Sequence, residues 1–180
     1  MVKQWPDMEG EVTNNMYVTR SGVIKEKPKA EKLNIDLGFD TFPRENTCDG
    51  DNQSPRIKIE GGKTPYLALI MDDPDAEKGR FAHWILWDLE MTHEIPAKIP
   101  KNDEIREPVR VTQGRNSAGK PGYTGPCPPR GTVHRYFVKV YGYHGEIGLK
   151  ATANVYDLEN ALENRYKQFG QTMARYARPV

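Results

Sequence analysis

Three stretches of this 180-residue chain carry side chains suited to holding an oxyanion. The first is an acidic turn, Asp72-Asp73-Pro74-Asp75, which crowds three carboxylates around a proline directly after an apolar run. Like charges held together and away from water raise a carboxyl pKa, although Asp before Pro also opens ordinary turns. The second is His83, which period two places on one strand face with Ile85 and Trp87. An imidazole on an apolar face usually does no more than donate to a carbonyl. Here a short connection through Glu77, Lys78 and Gly79 joins it to the acidic turn, and a neighbouring carboxylate favours the imidazolium. The third is the run Gly125-Pro126-Cys127-Pro128-Pro129, followed closely by His134-Arg135-Tyr136. Gly125 can bring backbone N–H groups up to a ligand, the prolines limit the entropy lost on binding, and period two puts His134 and Tyr136 on one face. Converging, these groups offer backbone donors, two imidazoles and a phenol to an oxyanion, and a carboxylate edge to an ammonium. A zwitterionic phosphoryl headgroup satisfies both ends. The competing chemistry is a metal-assisted hydrolase, since two His and two Asp can in principle ligate a divalent ion.

The elements that must position these residues are mostly strands. Leu33, Ile35, Leu37 and Phe39 alternate with polar residues and glycine, the period of a half-buried strand that ends at Pro43. Arg56 to Glu60 is a shorter run. Tyr66 to Met71 is continuously apolar, as expected for a central strand buried on both faces, and it delivers the acidic turn at its end. Ala82 to Leu89 and Thr132 to Tyr143 are further strands, and they carry the two histidines. Gly and Pro punctuate the stretch from Gly114 to Gly131, which is therefore an ordered loop of a length usually tied to function. From Asn154 onward Leu158, Ala161, Leu162, Arg165, Phe169, Met173 and Tyr176 fall at helical spacing. Asn154 or Asp157 is available as the N-cap, Gly170 is a point of bending, and Tyr176 is placed to reach a pocket edge. The expected architecture is mainly β, an antiparallel sandwich with a C-terminal helix, in a single domain over residues 1–180.

Bulk properties exclude several functions. Lys plus Arg number 26 against 25 Asp plus Glu, so nothing global draws the chain to nucleic acid or an anionic membrane, and an anion site has to be local. Basic residues are scattered rather than interleaved with aromatics, which argues against nucleic-acid binding. No run approaches the roughly 18 apolar residues of a membrane span, and MVKQWPDMEGEV lacks the apolar stretch of a signal peptide, so the expected compartment is the cytoplasm. Cys48 and Cys127 fit no zinc or C-x-x-C spacing. Free thiols are the expectation in that compartment, and a disulfide closing the long loop, stabilising by about 4 kcal/mol, is the alternative. Gly62-Lys63-Thr64 imitates a P-loop end, but Ile57 stands where the first Gly is needed and Pro65 spoils the helix start. No G-x-S-x-G elbow is present. No cofactor is called for.

Four blocks, TCDGDNQSP at 47–55, DDPDA at 72–76 with AHWILWDL at 82–89, QGRNSAGKPGYTGPCPPRGTVHRYF at 113–137, and a helical C-terminus, resemble the phosphatidylethanolamine-binding protein family in its bacterial and archaeal, Raf kinase inhibitor-like branch. The resemblance spans residues 30–176 and implies a large antiparallel sheet packed with a smaller one, a C-terminal helix, and a shallow anion pocket for phosphate, acetate or phosphorylated headgroups. By motif position the pocket residues it implies are Asp73, Asp75, His83, Gly125, Pro126, Cys127, His134 and Tyr136. It implies a non-catalytic binding or regulatory protein, with a small anionic or zwitterionic phosphoryl ligand, a protein kinase or a serine protease as partner classes, and a homodimer as one assembly. The departures are Glu77 where the family has Pro, Ile59 where a Trp is expected, and a weakly matching tail.

Overall fold

The computed structural model describes residues 29–179 and, by backbone alone, the strands β1 (Met16–Val18) and β2 (Ile24–Glu26), which pair antiparallel. Residues 1–12, on which the expectation about a signal peptide rests, lie outside the described residues. So does most of the exposed lead-in. Two further sheets make up the body. The larger has the order β3 (Glu31–Lys32), β12 (Gln168–Ala177), β11 (Val133–Tyr143), β6 (Tyr66–Asp73), β7 (Phe81–Glu90), β10 (Val111–Gln113) and β9 (Glu104–Ile105). The smaller is β4 (Asn34–Asp36), β5 (Ile57–Glu60) and β8 (Glu94–Ile95). All pairs are antiparallel except β3 with β12, so the large sheet is mixed. Among the described residues one α-helix, α1 (Val155–Leu162), follows β11.

The apolar run read as a doubly buried strand explains the layering. From Leu67 to Asp73 every residue of β6 is buried, because both faces of the large sheet are covered. Leu69 and Met71, with Trp84, Leu86, Tyr136 and Val138, pack toward Ile57 and Ile59 of the small sheet. Ala68 and Ile70, with Ile85, Trp87 and Tyr143, pack toward Val155, Leu158 and Leu162 of α1. The helix starts on a capping box: Asn154 Oδ1 accepts from Tyr156 N and Asp157 N, and Asp157 Oδ2 accepts from Asn154 N.

Three expectations need correction. The helix does not run from Asn154 to Tyr176. It stops at Leu162, Asn164 takes φ of 63°, and the rest becomes β12, which pairs with β11 along ten residues. Without it β11 would be an edge strand, and tertiary pairing outweighs the helical spacing. Gly170 is there for close approach: a Cβ would sit 2.3 Å from the Leu33 carbonyl oxygen. Second, the strand expected from Leu33 to Phe39 shortens to β4 (Asn34–Asp36), which pairs with β5 before Gly38 turns the chain at φ of 74°. Third, Cys48 and Cys127 are not free; they form a disulfide across a sequence separation of 79.

Candidate functional site

The acidic turn, both histidines and the proline loop meet at one end of the large sheet, where β6 ends, β7 and β11 begin and β12 ends. The register explains how His83 arrives there. Between β6 and β7 it steps from Met71 opposite Trp84 to Asp72 opposite Ala82, leaving His83 as the extra residue of a β-bulge. The bulge reverses the expected facing. Ala82, not His83, joins Ile85 and Trp87 on the helix side, and the His83 ring lies instead 5.2 Å from that of Tyr136 and 4.7 Å from that of Phe81. Strict alternation along the strand cannot show this.

His83 Nδ1 lies 2.7 Å from the Thr124 carbonyl oxygen, an acceptor only, so Nδ1 carries the proton. Burial pushes its pKa down, against the opposing pull of the Thr124 backbone and of the Asp73 and Asp72 carboxylates. The neutral ring leaves Nε2 as an acceptor. His134 Nδ1 lies 2.8 Å from Asp73 Oδ2, both groups being buried, and the carboxylate again fixes the tautomer. Tyr136 follows on the same face of β11 and is fully buried. Its phenol stays protonated, because burial and the nearby Asp73 and Asp75 charges raise its pKa well above the usual range. Among the described residues, the enclosed side-chain polar atoms without a hydrogen bond are Tyr136 Oη and Arg80 Nη2. The Arg80 atom is ion-paired at 2.7 Å with Glu159 Oε1, whereas the Tyr136 hydroxyl, with the Cys127 backbone beside it, has no acceptor for its proton.

The acidic turn works differently from the expectation. Its carboxylates do not crowd. Asp72, on the opposite face, accepts from Arg80 Nε at 2.6 Å and Lys139 Nζ at 2.9 Å. Asp73 holds His134 and accepts from Asp75 N at 2.8 Å. Asp75 accepts from Arg135 N, Nε and Nη2 at 2.9, 3.0 and 2.9 Å, and these bonds hold its carboxyl below the usual range rather than above it. Asp73 and Asp75 thus position β11 and its histidine, and the oxygens expected to receive an ammonium are engaged. The loop departs from expectation in the same way. Gly125 N donates to Asn52 Oδ1 at 2.7 Å, so this amide is not offered to a ligand. The glycine is needed because a Cβ would lie 2.2 Å from the Asn46 carbonyl oxygen. Pro126 accepts from Cys48 N at 3.1 Å, and Cys127 is covalently tied to Cys48.

Two contributors were not singled out from the sequence. Asn52 sits in the 47–55 block and adopts φ of 54°, a conformation Asn tolerates, so its Asn-rich turn composition was the available signal. Asp49 accepts from Tyr176 Oη at 2.7 Å and Arg178 Nε at 3.0 Å, and the Tyr176 bond foremost holds its carboxyl below the usual range. Tyr176 thus reaches the site region from a strand rather than from a helix. Two surface hollows lie elsewhere, one lined by Leu149, Thr152, Asp157 and Ala161 beside α1, the other by Lys29, Lys32, Gly61 and Lys63. The metal-assisted alternative needs at least three converging ligands, and among the described residues no group of three His, Cys, Asp or Glu is arranged to hold a metal ion. No helix among them is long and apolar enough to cross a membrane.

Comparison with known proteins agrees with this architecture. The chain is 41% identical over 157 residues to a UPF0098 protein of Pyrococcus horikoshii, covering 85% of this chain and 79% of that one. A UPF0098 protein of Pyrococcus abyssi is 42% identical over 151 residues, covering 82% and 85%. Among solved structures, Escherichia coli YbcL, described as a member of the mammalian PEBP family, superposes with a TM-score of 0.73 at 22% identity over 81% of this chain and 98% of that one, a likeness of fold. A putative phosphatidylethanolamine-binding protein homologue of Chlamydia trachomatis gives a TM-score of 0.70 at 25% identity over 82% and 97%. The phosphatidylethanolamine-binding protein family profile matches residues 37–177, spanning the bulged strand, the proline loop and the His-Arg-Tyr strand, and the chain belongs to that family.

Proposed function

We propose that the chain is a non-catalytic binding protein whose site at this end of the sheet takes the phosphoryl or carboxylate group of a small molecule or a partner. The observation that carries the reading is Tyr136 Oη, an enclosed donor with no partner, on the face it shares with His134 and against the ring of His83. A buried hydroxyl left unpaired costs about 1–3 kcal/mol, which a bound oxygen would recover. Among the described residues no hydrogen bond joins either imidazole to a serine, threonine or cysteine side chain that could serve as a nucleophile, the Nδ1 atoms being held by the Thr124 carbonyl and Asp73. The spent carboxylates favour a simple anion over a zwitterion, so phosphoethanolamine should bind no better than methyl phosphate. A cytoplasmic location requires surroundings in which the disulfide persists.

Imidazole nitrogen spectra recorded during a phosphate titration test this. Nε2 of His83 and His134 should shift saturably, while the exposed His93 and His144 stay put. Equal, non-saturating drift of all four rings would mean that no such site exists.

A further inference from the structure

We infer that the Cys48–Cys127 bond is a reversible thiol-exchange site that controls whether the loop beside Tyr136 is held in place, an inference that rests, for its effect on binding, on the anion site proposed above. Accessibility is the first ground. Cys127 is an exposed residue and Cys48 a half-buried one, so the bond joins two surface loops rather than lying in a core. Exposed disulfides are the ones open to attack by thiols.

The second ground is what else restrains the loop. Up to Pro126 it is held by hydrogen bonds: Tyr123 Oη to the Asn46 carbonyl at 2.6 Å, Gly125 N to Asn52 Oδ1 at 2.7 Å, and Cys48 N to the Pro126 carbonyl at 3.1 Å. Beyond it the ties resume at Pro129, whose carbonyl accepts from Thr132 N at 3.1 Å and Thr132 Oγ1 at 2.7 Å, at Arg130, whose Nη1 donates to the Pro179 carbonyl at 3.2 Å, and at Gly131, whose N donates to the Arg178 carbonyl at 3.0 Å. Between these points stand Cys127 and Pro128, and neither Pro128 nor Pro129 has an N–H to give. At Cys127, whose backbone lies beside the Tyr136 hydroxyl, the disulfide is thus the side-chain tie to the 44–52 loop, with the buried Pro128 and the Pro129 carbonyl holding the chain just after it.

The exchange needs a dithiol reductant. Its thiolate attacks Cys127 Sγ, the bond to Cys48 Sγ breaks, and Cys48 leaves as a thiolate that takes up a proton. The second thiol of the reagent then attacks the mixed disulfide, releasing Cys127 as a thiol. The reagent ends as its own disulfide and the protein as two thiols, a balanced two-electron transfer. With the tie gone, the 127–129 stretch must be ordered again each time an anion binds, which weakens binding.

The test uses the whole chain, native and oxidised, with inorganic phosphate as probe, before and after treatment with a dithiol, and beside the double variant Cys48→Ser/Cys127→Ser. Reduction should proceed without denaturant, raise amide exchange at residue 48, whose N–H donates to the Pro126 carbonyl, while β6 and β11 stay protected, and weaken phosphate binding about tenfold, with the double variant matching the reduced protein. A disulfide that resists the dithiol in the folded protein overturns the inference. So does a reduced protein with unchanged exchange at residue 48 and phosphate affinity within about twofold of the oxidised form. If oxidised protein takes no phosphate, the binding reading falls, and the exchange rate at residue 48 alone then decides the release of the loop.

Discussion

Replacing Tyr136 with Phe should move stability and binding in opposite directions. The change removes one oxygen and keeps the ring, which packs edge-on against Phe42 at 5.5 Å and against His83 at 5.2 Å. In the free protein that oxygen is enclosed without a hydrogen bond. An unmet buried polar group costs about 1–3 kcal/mol, so its removal should stabilise the protein by about 1 kcal/mol, raising Tm by roughly 2–4 °C for a chain of this size. A bound oxyanion would lose a charge-assisted hydrogen bond worth about 1.5–3 kcal/mol, a loss of roughly 10- to 100-fold in affinity. Urea unfolding in phosphate-free buffer measures the first quantity and calorimetric titration with phosphate the second. A variant that is less stable than the parent and binds phosphate equally well would refute the reasoning, because the hydroxyl would then be a structural group already satisfied.

Other perturbations probe the supports of the site. Gly125→Ala drives a Cβ against the Asn46 carbonyl oxygen and should destabilise by about 1–3 kcal/mol while weakening phosphate binding; an unchanged melting curve would show that the two loops can separate freely. Asp72→Asn leaves Arg80 and Lys139, each about a quarter exposed, without their shared carboxylate, and should cost about 2–3 kcal/mol with little effect on anion affinity, read by urea unfolding with and without phosphate. His83 has a folded pKa below its unfolded value of about 6.5, so its stabilising effect is fully present above that pH and is lost as the pH falls toward the depressed value. His83→Gln should flatten that limb of the stability–pH curve. An anion placed beside the neutral ring should raise its pKa, so phosphate binding near pH 6 should take up protons, as heats compared in buffers of different ionisation enthalpy would reveal.

The sequence was most informative where one physical constraint acted alone. Tyr66 to Met71 could only be a doubly covered strand, and the period-two placement of His134 with Tyr136 carried directly into β11. Reading failed where two signals overlapped. Leu162, Phe169, Met173 and Tyr176 fit a helix, yet Ala174 and Tyr176, two apart, both face the core from β12, and the unpaired side of β11 decided between them. His83 was assigned to the correct strand and the wrong face, because a bulge inserts a residue that no alternation records. The acidic turn is legible as a cluster but not as three separately engaged groups, since Arg80 meets Asp72 from the turn's far side and Lys139, His134 and Arg135 meet Asp72, Asp73 and Asp75 from β11. The Cys48–Cys127 pairing depends on two loops meeting, and spacing alone left it open.

The central claim is that an anion is bound by the Tyr136 hydroxyl and the two imidazoles together, and a crystal structure of the protein grown in phosphate tests it most directly. The account predicts a phosphate oxygen at about 2.6–3.2 Å from Tyr136 Oη, with a second oxygen at Nε2 of His83 or His134, the ring having taken up a proton there on binding. Phosphate found only among Lys29, Lys32 and Lys63, with nothing against Tyr136, would contradict it.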